Sequence, residues 1–397
     1  MPPPNPTLRF LGLNRNTCIL LATIVLIAAG EETWMRFVPK YLDVLGASVF
    51  VIGAYDALKT LLGAVYAWPG GIVVDRFGHR AALTAFTAIS ITGYVLMLLV
   101  PHWAAVIVSS FLFLAWSTLS LPATFTLVAD SLPASKHAMG IGVQSLVRRL
   151  PAIVGPIVGG VLIDRYGAVS GVRYGLIISV LLASSALWFQ QRIAVAIKPA
   201  QHDSTGLLAA LRASHPHLMR LLWSDILIRF CERIPFAWIV IYVMNDLGVS
   251  ASEVGILIAV EMVAAIICYL PASWLADRYG KEPFVVATFL IFTAFPITLA
   301  LSSGFGSLVV AFAVRGLKEF GEPARKALIL SYAAPTAPGR AVGAYYLIRD
   351  TVVSLAALLG AFLWSISPQL NFWAAAALGL SGTAVYVLTG RKPLVAT

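Results

Sequence analysis

The chain has 397 residues, of which 59% are hydrophobic and only 12% are charged. A soluble domain carries about twice that charge, so a soluble fold is excluded and the bilayer is the solvent. The formal net charge of +10 then belongs to basic loops on one membrane face, and no nucleic-acid partner is expected.

Apolar stretches of about 20 residues are long enough to cross a bilayer. Twelve are predicted, near 17–41, 48–74, 80–101, 103–130, 139–164, 171–190, 219–245, 252–276, 283–302, 306–331, 340–366 and 371–390. Before the first, Met1-Pro-Pro-Pro-Asn-Pro offers no small-residue cleavage site, so no cleaved leader is expected. The one long polar connection, 191–218, separates six spans from six. The predicted class is an all-α membrane protein with two pseudo-symmetric six-helix bundles, 1–190 and 219–397, joined by a cytoplasmic linker. With the amino terminus in the cytoplasm, Arg9, Arg15, Arg76, Arg80, Lys136, Arg192, Lys198, Arg212, Arg220, Arg278, Lys281, Arg340, Arg391 and Lys392 lie inside, against Lys40, Arg165 and Arg173 outside. Basic loops are retained inside, so both termini are expected in the cytoplasm of a bacterial inner-membrane protein.

The halves repeat. At an offset of 202, Gly46 matches Gly248, Ser48 matches Ser250, Gly53 matches Gly255, and Asp75-Arg76 with Gly78 match Asp277-Arg278 with Gly280. At an offset of 201, Gly142 and Arg148 match Gly343 and Arg349. A duplicated bundle with a site between its halves suits a rocking transporter. Cys18, Cys231 and Cys268 lie in apolar runs without metal-ligand spacing. There is no Ser/His/Asp grouping and no phosphate loop. Neither enzyme activity, cofactor nor metal is expected.

The stretch Gly71-Ile-Val-Val-Asp75-Arg76-Phe-Gly78-His-Arg80 resembles the signature between the second and third helices of the major facilitator superfamily of secondary transporters. His79 stands where that family usually has a basic residue, and the copy at Ser273–Lys281 lacks the leading glycine. Gly155-Pro156-Ile-Val-Gly159-Gly160 resembles a motif of the family's proton-coupled exporters, with Pro151 in place of the usual upstream glycine. The resemblance implies gating roles for Gly71, Asp75, Arg76, Gly78, Arg80, Asp277 and Arg278, with Asp75 pairing with Arg76 or Arg80 or capping a neighbouring helix. It implies the same for Gly155 and Pro156. Close helix packing is the equal alternative for those two.

Ionisable residues inside spans are costly and mark a pathway by default. Glu31 lies about 14 residues into the first span, roughly 20 Å at helical rise. Glu32 and Arg36 follow it four apart; Asp56 and Lys59 lie in the second span, Arg148 and Arg149 in the fifth, and Glu261 in the eighth. The seventh holds Asp225, Arg229, Glu232 and Arg233, the tenth Arg315, Lys318, Glu319, Glu322 and Arg325, and the eleventh Arg349 and Asp350. Glu31, Glu32, Glu232, Glu261 and Glu319 are the candidates for carrying a coupling proton. Arg36, Arg148, Arg233 and Arg349, with Trp34 and Tyr345, are the candidates for binding the substrate. A buried structural ion-pair network is the rival reading of the deep charges. Arg325 and Lys326 are expected at the solvated cytoplasmic end, Asp225 near an interface, and Arg36 and Lys40 snorkelling outward. Asp56 with Lys59 reads equally as a structural pair or a ligand site.

The expected function is alternating-access transport of a small polar or anionic solute, coupled to protons and directed outward, by a monomer. The alternatives are an importer or facilitator of an organic anion, and a receptor or lipid-handling protein on the same fold.

Overall fold

The computed structural model describes residues 15–131, 137–193, 207–334 and 338–390, and among them there is helix and no strand. Twelve membrane-length helices follow in chain order. α1 is Arg15–Glu31, continued through a 3-10 turn, Met35–Phe37, by Val38–Val44. α2 and α3 share Val49–Leu99 and meet at Gly78. α4 is Trp103–Ser131; α5 and α6 share His137–Gln190 and meet at Gly167. A short helix, Leu207–Arg212, precedes α7, which is Pro216–Phe236 followed by Trp238–Asn245. α8 is Ala251–Tyr279 and α9 is Glu282–Ala300. α10 is Phe305–Leu317, a 3-10 turn at Lys318–Gly321, and Glu322–Tyr332; α11 is Pro338–Ile366 and α12 is Pro368–Gly390. Residues 194–206 of the expected linker, and Arg9, Lys136, Lys198, Arg391 and Lys392, lie outside the described residues.

The repeat is written into the backbone. Gly46 and Gly248 have φ of 77° and 67°, and Gly78 and Gly280 have 78° and 92°. Each pair is 202 residues apart. A β-carbon in that left-handed region costs roughly 1–2 kcal/mol, so matched glycines specify matched turns.

The helices are dressed for lipid. On α5, Val154, Val158 and Val161 are 59%, 40% and 48% exposed, while Gly155, Pro156, Gly159 and Gly160 are buried. Nine stretches of the described residues are long and apolar enough to cross a membrane. α5 and α6 fall together in one of these, Val147–Gln190, and α7 and α10 fall in none. Those two carry the densest charges, which lower their hydropathy.

Two compact units form. One comprises Met1–Ala47, Val65–Gln201 and Ser250–Ala259; the other comprises Ser48–Ala64, His202–Val249 and Val260–Thr397. The start of α8 therefore packs in the first unit and the start of α2 in the second. In the first unit, a β-carbon at Gly255 of α8 would meet Pro156 and Ile157 of α5. In the second, one at Gly53 of α2 would meet Ala361 and Ala357 of α11. Gly53 and Gly255 are repeat partners, so the two close approaches are one arrangement used twice. The second unit's apolar core includes Leu221, Ile228, Phe289, Leu328 and Tyr386.

Candidate functional site

In the second unit, α7 places Asp225, Arg229, Glu232 and Arg233 at helical spacing, and every one finds a partner on another helix or along its own. Asp225 Oδ2 accepts from Arg325 Nη1 at 2.5 Å, from Arg349 Nη1 at 3.1 Å and from the Tyr345 hydroxyl at 3.0 Å. Arg229 donates to Glu232 and to Glu322, both at 2.7 Å, and Arg325 closes the ring on Glu322 at 2.7 Å. Glu232 also accepts from Lys318 Nζ at 2.8 Å, and that amine lies 3.6 Å from Glu261. Glu261 pairs with Arg315 at 3.3 Å, and Arg349 pairs with Asp350 at 2.7 Å. Arg233 lies 3.5 Å from Asp56 Oδ1. The acids Asp56, Asp225, Glu232, Glu261, Glu322 and Asp350 balance the bases Arg229, Arg233, Arg315, Lys318, Arg325 and Arg349 one for one. Buried charge survives only when paired in this way.

Local sequence explains how α10 reaches both ends of the network. Pro323 has no N–H to donate, and the helix breaks just before it. Thr288 of α9 ties off the break, accepting from Gly321 N–H at 2.5 Å and donating to the Lys318 carbonyl at 3.2 Å. A β-carbon at Gly316 would strike the Glu261 carbonyl, so this glycine lets α8 and α10 approach closely enough for Glu261 to meet Arg315 and Lys318. Arg315 also lies over the rings of Phe236, Phe295 and Phe312. Glu319 sits half-buried in the 3-10 turn.

In the first unit the acids sit where α1 breaks. Buried Glu31 accepts from the Tyr94 hydroxyl at 2.7 Å, and Arg148 of α5 lies within electrostatic range of it. The Arg148 Nε is buried without a hydrogen-bond partner among the described residues. Glu32 pairs with Arg36 at 3.2 Å. Glycines hold the break: a β-carbon at Gly155 would meet Glu32, one at Gly159 would strike the Thr33 carbonyl, and one at Gly175 would meet Thr33 Oγ1. Trp34 has no exposed surface; its indole N–H donates to Ser179 Oγ at 2.8 Å and its ring packs edge-on against Tyr94 and Phe113. Tyr345 is likewise fully buried, held by Asp225. Trp34 and Tyr345, expected against a substrate, are core residues here.

One expectation is corrected, and two others gain partners. Arg325 is not solvated but 2% exposed, because α10 carries it back onto Asp225 and Glu322; Lys326 alone faces out. Asp56 faces Lys59 on its own helix and also pairs with Arg233 of α7 at 3.5 Å, because the start of α2 packs in the second unit. Arg36 pairs with Glu32 at 3.2 Å, as their four-residue spacing suggests, and Lys40 pairs with Asp43 at 2.9 Å while both bases stay partly exposed.

At the signature, Gly78 turns the chain and Gly71 meets nothing within 4 Å of an added β-carbon. Asp75 and Arg76 are exposed, and Arg80 donates to Gln191 Oε1 at 3.0 and 3.2 Å rather than to Asp75. In the copy, Asp277 is exposed and Arg278 lies 5.6 Å from the rings of Trp274 and Tyr279.

Asp164 gave no signal in the sequence, where it looks like a loop charge beside Arg165. It accepts from the Ala251 and Ser252 amides at 2.8 Å each and from the Ser252 hydroxyl, satisfying first-turn donors of α8. Asp164→Ala is expected to lose about 0.5–2 kcal/mol, as a lost cap does. Hydrogen exchange confined to the 250–259 segment is the measurement; unchanged exchange there would refute it. Tyr94 was also missed, since a lone phenol in an apolar run announces nothing.

A family model described as the Major Facilitator Superfamily matches residues 20–231 and 221–396. The multidrug resistance protein MdtG of Proteus mirabilis is 23% identical over 364 residues, 88% of this chain and 89% of that protein. The minor myo-inositol transporter IolF of Bacillus subtilis is 23% identical over 336 residues, 79% of this chain and 74% of that protein. Among solved structures, a POT family transporter in complex with 5-aminolevulinic acid superposes with a TM-score of 0.80 over 96% of each chain at 12% identity. A bacterial homologue of the human lysosomal transporter Spinster gives 0.73 over 98% of each chain at 15% identity. Likeness at such identity establishes the fold alone.

Proposed function

Because the chain belongs to the major facilitator superfamily, and is therefore an integral membrane transporter rather than an enzyme, we propose that it couples protons to the export of a small polar or anionic solute across the bacterial cytoplasmic membrane. It works as a monomer with both termini in the cytoplasm, by alternating access between the repeats 1–190 and 219–397.

The observation that carries the reading is the Glu31–Tyr94–Arg148 group. Glu31 is buried at the break of α1, accepts from the Tyr94 hydroxyl and faces Arg148, whose Nε has no hydrogen-bond partner among the described residues. A buried carboxylate between a phenol donor and a base can gain and lose a proton as its surroundings change during the cycle. Glu232 is clamped by Arg229 and Lys318, and Glu261 is faced by Arg315 and Lys318; both serve the network rather than carry the proton. Arg233 and Arg349 are likewise engaged, which leaves Arg148 as the substrate's anionic anchor. Glu32, Arg36 and Glu319 support the site from the breaks in α1 and α10.

Export is favoured by the Gly155-Pro156-x-x-Gly159-Gly160 stretch and by the similarity to MdtG. One observation favours uptake instead. A proton on Glu31 would release Arg148 for an anion, so proton and anion would load together.

Both directions are tested in proteoliposomes with imposed pH gradients of either sign, using radiolabelled benzoate and ethidium as anionic and cationic probes. Glu31→Gln is expected to cut gradient-driven accumulation by about tenfold or more, a loss of about 1.4 kcal/mol per factor of ten. Probe exchange at equal pH should survive. Full gradient-driven transport by the variant would refute the assignment.

A further inference from the structure

Asp56 is only 2% exposed, yet it is the least satisfied carboxylate of the second unit. Its Oδ2 is buried with no hydrogen-bond partner among the described residues. Its Oδ1 reaches one cation, Arg233 Nη1, at 3.5 Å. By contrast, Asp225 is held at 2.5 Å, Glu322 at 2.7 Å by two arginines, and Glu232 at 2.7 and 2.8 Å by two cations. Burying an ionised carboxylate is expensive unless close donors compensate. One contact at the limit of hydrogen-bond length leaves most of that cost standing.

The surroundings define what Asp56 can bind. From its own helix, Lys59 lies one turn on and Thr60 donates to the Asp56 backbone carbonyl at 2.9 Å. From α7, Arg233 and Glu232 are the charges facing it. Phe236 of α7 lies beneath both bases, 4.7 Å from the Arg233 guanidinium and 6.0 Å from Lys59 Nζ. α11 approaches α2 at Gly53 through Ala357 and Ala361, which carry no charge. Two bases and one acid surround the carboxylate, and the bases keep an aromatic face to rest on if the carboxylate leaves them.

We propose that Asp56 is a second proton site, which loads by letting go of Arg233. Uptake forms one O–H bond at Oδ2; the proton comes from water of the compartment that the site faces. Arg233 stays a guanidinium and settles on Phe236. Release breaks that O–H bond and returns the proton to water. The role of this proton in transport rests on the proton-coupled reading above; its binding does not.

The test is infrared difference spectroscopy of the reconstituted protein between about pH 6 and about pH 9, where ordinary carboxyls are already ionised. Wild-type protein should show a protonated-carboxyl band that is lost on going to the higher pH. Asp56→Asn should remove a component of that band, Asp56→Glu should move it in frequency, and Glu31→Gln and Glu232→Gln should leave it in place. A full band in Asp56→Asn, or an unmoved band in Asp56→Glu, overturns the proposal. Should the asparagine variant fail to fold, the glutamate variant alone decides. Wild-type transport indifferent to a pH gradient would sink the coupled-transport reading while the Asp56 component remained, so the two failures are told apart.

Discussion

Arg325→Ala is expected to remove about 3–5 kcal/mol of stability, the cost of breaking a buried ion pair from one side. The guanidinium bridges Asp225 and Glu322 at 2.5 and 2.7 Å, and Arg229 spans the same two acids more loosely, at 3.7 and 2.7 Å. Without it, Asp225 loses its closest cation and Glu322 loses one of its two cations at 2.7 Å. Asp225 keeps Arg349 and Tyr345, and Glu322 keeps Arg229, so the unit should weaken rather than vanish. A double replacement, Asp225→Asn with Arg325→Met, removes charge of both signs and should recover much of the loss. Thermal unfolding in detergent reads both. A single variant that melts within a degree or two of wild type would show that the network holds nothing together.

Gly159→Ala is expected to destabilise by about 1–3 kcal/mol, as overpacking does. Its β-carbon would strike the Thr33 carbonyl, a backbone atom that cannot swing aside. Thr33 lies in the break of α1 beside Glu31 and Glu32, so transport should fall together with stability. Gly71→Ala is the control. Its β-carbon meets nothing within 4 Å, and the helix gains about 0.4–1 kcal/mol from the lost chain entropy. The same chemical change thus carries opposite signs at two glycines of motif stretches. Equal melting temperatures for the two variants would refute the packing argument.

Much of the architecture was legible because it is local. Gly46, Gly78, Gly248 and Gly280 could be aligned by offset alone, and each turns the chain where its partner does. The acid–base face of α7 was legible from spacing. What spacing does not encode is who pairs with whom. Asp225 and Arg349 are 124 residues apart, and hydropathy records the cost of a charge but not the identity of its partner. Arg325 was placed in water because counting assumed an unbroken α10, whereas the 3-10 turn at Lys318–Gly321 resets the register. Proximity at i,i+3 ties Asp56 to Lys59 but cannot see that the start of α2 packs beside α7 and adds Arg233. Tyr94 and Asp164 act through one hydrogen-bonding group each, and nothing in their neighbours' composition marks them.

The ion pairing between α7 and α10 reaches back to biogenesis. Each charge at the centre of a helix adds roughly 2.5–3.5 kcal/mol to its transfer from the translocon into lipid. With Asp225, Arg229, Glu232 and Arg233, α7 alone would face a penalty on the order of 10 kcal/mol. Its neutralising partners on α10 emerge from the ribosome later, Glu322 following Arg229 by 93 residues. α7 is therefore expected to wait at the insertion machinery until α10 arrives, so that the two enter the bilayer with their ion pairs formed.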